Sequence, residues 1–341
     1  MNEALTNLGS GVLLAWIALP LLAMGARRDD VCDAASRHRA CVWALGLGAL
    51  LMALPFARAG ADVGTALVIP GWLEHLVGLA RGPHLQTRLG AFSPLAVAGM
   101  AWLATVGAGL LRTAVHAVRI AGICRRAEAA PADVVARIAP LARALRVRCP
   151  RVLVSSECSI PFAAGAFRPT VVLPSGLVDS FSPDALELVA LHELTHIARG
   201  DLRSGAVIDL ARILLAPHPV ARRLAVDAGL AREQAVDACV SAEAPVAYAR
   251  VLVDVAHHAR FGERMSRAVC MHGSDLARRI DAIGDGRPRR RASLSPLIAT
   301  TVVIAGSALA APRIEVGSCP AARSHAPCSA SVDCPLKAEK S

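Results

Sequence analysis

Four stretches of the chain carry no charged residue: between Glu3 and Arg27, between Arg39 and Arg58, between Arg88 and Arg112, and between Arg291 and Arg313. The second is the shortest, at 18 residues. At about 1.5 Å rise per residue they reach from about 27 to about 35 Å, within the range of about 17–25 residues that serves to cross a hydrocarbon layer of about 30 Å. The pattern predicts spanning helices over about 5–26, 40–57, 89–111 and 292–312. Pro20, Pro55, Pro94 and Pro296 fall inside these stretches, where neighbouring helices satisfy the backbone groups that proline frees. A cleaved signal peptide would place positive charge before its apolar core. Here residues 1–26 hold no Lys or Arg, and Arg27, Arg28, Arg37 and Arg39 follow.

The connections carry four basic residues in 27–39, three in 58–88, four in 112–126 and four in 287–291. The positive-inside rule then puts the amino terminus outside, a short loop inside, residues 58–88 outside, a large domain over 112–291 inside, and the tail 313–341 outside. Within the inner domain, Ala, Arg and Leu at helical spacing predict a helix leaving the membrane from 112 and a second one after Pro131, reaching about 147. Arg151-Val-Leu-Val154 and Thr170-Val-Val-Leu173 are short β-branched runs, read as strands of a small sheet. Ser182 followed by Pro183 is an N-cap with proline in the first turn and starts a helix through Ile197. Further helices are expected at about 202–215, 219–240, 245–260 and 274–284. The fold class is thus a multi-pass α-helical membrane protein with an inserted α+β domain.

Composition agrees with a membrane location. The 341 residues are 54% apolar, 3% aromatic and 19% charged, too apolar for a disordered chain and less charged than the roughly 25% of typical soluble domains. Of the net charge of +10, the inner domain supplies +8, from 26 Arg against 18 acidic residues. Such a domain, tethered at both ends, favours the anionic inner leaflet of a lipid bilayer. Direct nucleic-acid binding is not expected, because aromatic stacking residues are scarce and no binding motif is present.

The helix opened by Ser182 carries His192-Glu-Leu-Thr-His196. Two imidazoles four residues apart leave one helical face and can hold one metal ion, while Glu193 between them is close enough to take a proton from water. A catalytic zinc usually has three protein ligands. No third histidine lies three to six residues beyond His196, so a glutamate from a later helix is the remaining common solution. Ala231-Arg-Glu-Gln-Ala-Val-Asp-Ala238 offers Glu233, with Asp237 one turn on as an acceptor that orients a histidine. His218, between Pro217 and Pro219, is a candidate donor to the reaction intermediate but reads equally as a turn or packing residue, and Asp201 either supports the site from outside the ligand set or, the favoured reading, caps the next helix.

These residues resemble the BlaR/MecR-type membrane-bound antirepressor metallopeptidases. The resemblance covers most of the chain: three leading spans, Pro161-Phe-Ala-Ala-Gly-Ala-Phe-Arg-Pro169 with Leu173-Pro174, His192 to His196 with Asp201, Pro217-His-Pro219, Glu233 to Asp237, and a final span. It implies a gluzincin-like domain with Zn2+ held by His192, His196 and Glu233, Glu193 as general base, and Asp237 outside the ligand set. It also implies that residues around 161–173 form the rim of the cleft. The expected setting is the bacterial cell membrane with the peptidase domain cytosolic, and the expected substrate a BlaI/MecI-type winged-helix repressor cut in response to an envelope signal. The best-known members continue into a large penicillin-binding sensor domain, whereas about 29 residues follow the last span here, and sensing through such a domain is not expected.

That tail holds Cys319, His325, Cys328 and Cys334. In an oxidising compartment an odd number of cysteines implies a free thiol or an intermolecular bridge, and with His325 they could instead bind a soft metal. Two other functions compete with the antirepressor reading. One is membrane-protein quality control as in HtpX-type zinc proteases, whose motif follows two spans rather than three. The other is a non-catalytic membrane signalling protein that retains a metal site.

Overall fold

The computed structural model describes residues 16, 18–23, 33–51, 94–216, 218–261 and 273–285. The expected fourth span, the Cys-containing tail, most of the first span, residues 52–57 of the second, 89–93 of the third, and Pro217 lie outside the described residues. The described chain is mostly helical with one small mixed sheet. Helix α1 covers Ala34–Leu51 and α2 covers Pro94–Arg126. After a two-residue strand β1 (Glu128–Ala129), α3 spans Ala132–Ala144, and β2 (Arg151–Ser155), β3 (Phe162–Ala164) and β4 (Thr170–Pro174) follow. Then come α4 (Ser175–Ser180), α5 (Pro183–Arg199), α6 (Asp201–Leu214), α7 (Pro219–Val240), α8 (Pro245–Phe261) and α9 (Gly273–Asp285).

Among the described residues, one helical stretch, Gly99–Arg126, is long and apolar enough to cross a membrane. It is the greater part of α2, which continues without a break past the end of the third predicted span. The arginine pair Arg125 and Arg126 closes it, and Arg126 forks onto the Glu157 carboxylate, with Nη2 to Oε2 at 2.6 Å.

The sheet order is β1-β2-β4-β3, with β2 and β4 parallel and both outer pairs antiparallel. Side chains of a strand alternate between faces, and both faces of β4 are covered. Val171 and Leu173 join Val152 in a core with Ile138 of α3 and Val189, Ala190 and Leu194 of α5. Val172 and Leu153 turn to the opposite side, against Ile123 at the end of α2. The sheet therefore sits between the end of α2 and the helix bearing the two histidines. A second core joins helical residues 18–23, α1, α6 and α7 through small and branched side chains, among them Leu19, Ala44, Leu45, Leu215, Leu224 and Ala228.

Candidate metal centre

Helix α5 begins where Ser182 accepts a hydrogen bond from the Ala185 amide at 3.3 Å, and it ends at Gly200 in the left-handed region (φ 74°). That conformation is cheap only for glycine, and it lets α6 start at once with Asp201. The corner brings the Asp201 carboxylate back onto the helix just ended, with Oδ2 at 2.9 Å from His196 Nδ1 and 3.2 Å from Arg199 Nε. Asp201 thus serves the histidine rather than capping α6, whose N-cap is Gly200. The cap reading favoured from sequence is thereby corrected in favour of its alternative, because the αL corner points the side chain back over α5.

His192 is held from the other side. Its Nδ1 lies 2.7 Å from the Tyr248 hydroxyl, which donates to Asp237 Oδ1 at 2.7 Å. Since that hydroxyl spends its proton on Asp237, it accepts from His192 Nδ1–H; the Asp201 carboxylate likewise accepts from His196 Nδ1–H. Both rings therefore turn Nε2 toward one point, where each nitrogen donates a lone pair to a metal once it carries no proton, and the two Nε2 atoms are 3.2 Å apart. Glu233 Oε2 lies 3.5 Å from the first and 3.7 Å from the second.

The set fits a metal ion. A tetrahedral centre with bonds of 2.0–2.1 Å places its donors about 3.3 Å apart, close to the three separations found. His192, His196 and Glu233 form the one group of three or more such donors found among the described residues. Glu193 points from the same helix, is 6% exposed, and lines the cleft with them.

Around this trio the charges are arranged in layers. Asp237, at 1% exposure, takes two short hydrogen bonds from Arg279 at 2.6 and 2.7 Å and lies 3.6 Å from His192 Nδ1, so it acts on that ring chiefly through Tyr248. Arg279 also reaches Glu233 Oε2 at 3.4 Å, and Arg232 reaches Oε1 at 3.3 Å. Burial works against charge on Glu233, but its hydrogen bonds with His192 and His196 and their positive charge hold its carboxyl well below the usual range. Burial likewise opposes charge on His196, yet Asp201 and Glu233 raise it to about 9. Burial and the neighbouring Asp237 carboxylate push the Tyr248 phenol upward, so it stays a neutral hydrogen-bonding bridge.

The trio stands in a cleft of about 1400 Å³ whose walls include Ala163 and Ala164 of the edge strand β3, Leu110 and Thr113 of α2, and Leu210 of α6. His218 is remote from this chemistry. It caps α7, its Nδ1 accepting from the amides of Val220 and Ala221.

Tyr248, Arg279 and Arg232 were not evident from the sequence. Tyr248 had one available signal, since it is the single tyrosine of the chain and lies on a helix of small apolar residues. Arg279 had none among 35 arginines.

The family model described as BlaR1 peptidase M56 matches residues 85–283. The chain belongs to this family. M56 peptidases are metal-dependent and membrane-associated, and in this member the match encloses the donor trio, the sheet and all helices from α2 to α8, with all but the last two residues of α9. No curated protein matches the chain.

Proposed function

We infer that this M56 peptidase is a zinc endopeptidase of a signalling pathway, anchored by four spanning helices with its peptidase domain over 112–291 on the cytosolic side. Its amino terminus and tail lie outside. The observation that carries the reading is the convergence of two imidazole Nε2 atoms and one carboxylate oxygen on a single point, with Glu193 on the histidine helix lining the same cleft. The substrate class is a cytosolic repressor of the BlaI/MecI type, whose cleavage releases its target genes.

When bound, zinc supplies Lewis acidity, making water acidic near neutral pH and drawing charge from a peptide carbonyl. The chain's own residues do the rest. Glu193 accepts a proton from the attacking water and returns it to the departing amine. Asp201 and the Tyr248–Asp237–Arg279 chain fix the two imidazole rings in the tautomer that leaves Nε2 free. The edge strand β3 offers unpaired backbone groups to an extended substrate, which binds by adding a strand.

The test is Glu193→Gln. The amide keeps the size of the side chain and leaves the three donors untouched, but cannot take up the proton. The variant is expected to bind zinc like the parent and to cut a co-expressed repressor at least a hundredfold more slowly. Undiminished cleavage removes Glu193 from the reaction. Cleavage of membrane proteins without any change in the repressor replaces the signalling role with quality control.

A further inference from the structure

We propose that α6 and α7 form a re-entrant hairpin, which enters the bilayer from the inner face and turns back near its middle, so that the peptidase cleft opens sideways into the inner leaflet. The proposal rests on the reading of 5–26, 40–57 and 89–111 as spans.

The tip of the hairpin, residues 213–219, touches all three. The Trp102 indole donates to the Leu214 carbonyl at 2.9 Å. His218 Nε2 lies 3.3 Å from the Trp16 carbonyl, and the two rings meet edge to face at 4.7 Å. Gly48 faces Leu215, whose Cδ1 would lie 3.4 Å from a Cβ at that position. Along the chain, Trp16 is ten residues from the expected inner end of its span at 26, Gly48 is eight from 40, and Trp102 is nine from 111. At about 1.5 Å per residue these are depths of about 15, 12 and 14 Å, half of a 30 Å core.

The base of the hairpin gives the same depth independently. His38, in the connection expected at the inner surface, meets the Ala228 carbonyl at 3.0 Å and the Ser204 hydroxyl at 3.1 Å. Ala228 is ten residues from His218, and Ser204 ten from Leu214, which is again about 15 Å along each helix.

The tip also carries the hydrogen bonding that a turn in hydrocarbon requires, where no water can serve a free backbone group. The Leu214 carbonyl has the indole, the Leu215 carbonyl has the His218 amide at 2.8 Å, and the first amides of α7 have the His218 imidazole. Arg212 is paired with Asp209 at 3.3 Å, and Arg222 and Arg223 lie one turn from the tip, with stems long enough to lift their charge toward the headgroups. Val207, Leu210 and Val226 are 45, 51 and 59% exposed on the hairpin, an apolar surface that lipid covers at no cost. Leu110 and Thr113 of α2 line the cleft together with Leu210 and Val226, so the repressor segment to be cut would enter it at the surface of the inner leaflet.

Single cysteine variants of the full chain in membrane vesicles with the cytosolic face outward test this, using a membrane-impermeant maleimide and mass spectrometry to resolve the labelled sites. Leu210→Cys reports on the hairpin. Trp43→Cys, on α1 and 52% exposed, reports on the second span, and Val246→Cys, on α8 and 65% exposed, reports on the aqueous side. Leu210→Cys is expected to react at least tenfold more slowly than Val246→Cys, like Trp43→Cys, and to catch up in detergent. Reaction of Leu210→Cys at the rate of Val246→Cys, with Trp43→Cys still protected, overturns the hairpin and leaves the spans standing. Fast reaction at Trp43→Cys as well overturns the spans, and the hairpin with them.

Discussion

Asp201 reaches back across the αL corner at Gly200 to hold the Nδ1 of His196 at 2.9 Å. The contact determines which ring nitrogen carries the proton, and so whether the other can donate to a metal. Asp201→Asn keeps the shape but removes the charge and offers either end of an amide. Zinc affinity, measured by competition with a chelator, is expected to fall tenfold to a hundredfold, with far-ultraviolet circular dichroism unchanged. Parent-like affinity would show that the ring is oriented by something else.

Tyr248→Phe removes the bridge between His192 and Asp237. It leaves a buried imidazole N–H without its acceptor and weakens the tie between α8 and α7. A stability loss of about 1–3 kcal/mol is expected from the unsatisfied group, together with zinc binding weakened by at least tenfold. Denaturant unfolding and chelator competition read the two effects separately. Loss of stability with unchanged zinc affinity would make Tyr248 a packing residue only.

Much of the fold was legible because its signals are local. Ser182-Pro183 marked the start of α5, and the β-branched runs at 151–154 and 170–173 marked β2 and β4. Strand β1 and helix α4 escaped notice. The first is two residues long and exists through its pairing with β2, Glu128 opposite Val154. The second is six residues following Pro174, too short for a periodic pattern. In the metal centre the same division holds. His192, Glu193, His196 and Glu233 were visible from spacing, whereas Tyr248 and Arg279 gain their roles from the packing of α8 and α9 on α7, which no short stretch of sequence encodes.

His38 ties α1 to the hairpin and gives the protein a dependence on pH. Burial lowers its pKa, against the opposing effects of the Ala228 carbonyl and Asp201, while Arg232 and Arg199 lower it further. The unfolded chain, with an ordinary histidine near 6.5, therefore takes up the proton more readily than the folded one. The stability that neutral His38 contributes is complete above about pH 6.5 and declines as the pH falls below it. Between pH 7.5 and 5.5 the thermal midpoint of the parent is expected to drop further than that of His38→Gln. Parallel pH profiles would show that this ring does not titrate on unfolding.

Thiol chemistry separates four of the five described cysteines into two sets. Burial raises Cys158 to about 11 and shifts its neighbour Cys124 upward as well, while Cys149 and Cys239 are exposed. Only the thiolate reacts, and at pH 8 a thiol with a pKa near 11 is about one part in a thousand ionised. Iodoacetamide on the native protein is expected to modify Cys149 and Cys239 at least tenfold faster than Cys158, with equal rates returning on unfolding. Early modification of Cys158 in the native state would contradict its burial in the core beneath β2 and β4.

The three donors do not share one foundation. His192 and His196 ride on α5, which is rooted in the sheet, while Glu233 rides on α7, whose first half is rooted in the core built with α1 and whose end lies on α5. An ion held between them would add a further tie to a seam already closed by Val236 and Val240 of α7 against Leu188 and Leu191 of α5, so that extracting it loosens the packing of α7 on α5 as well as ending the chemistry.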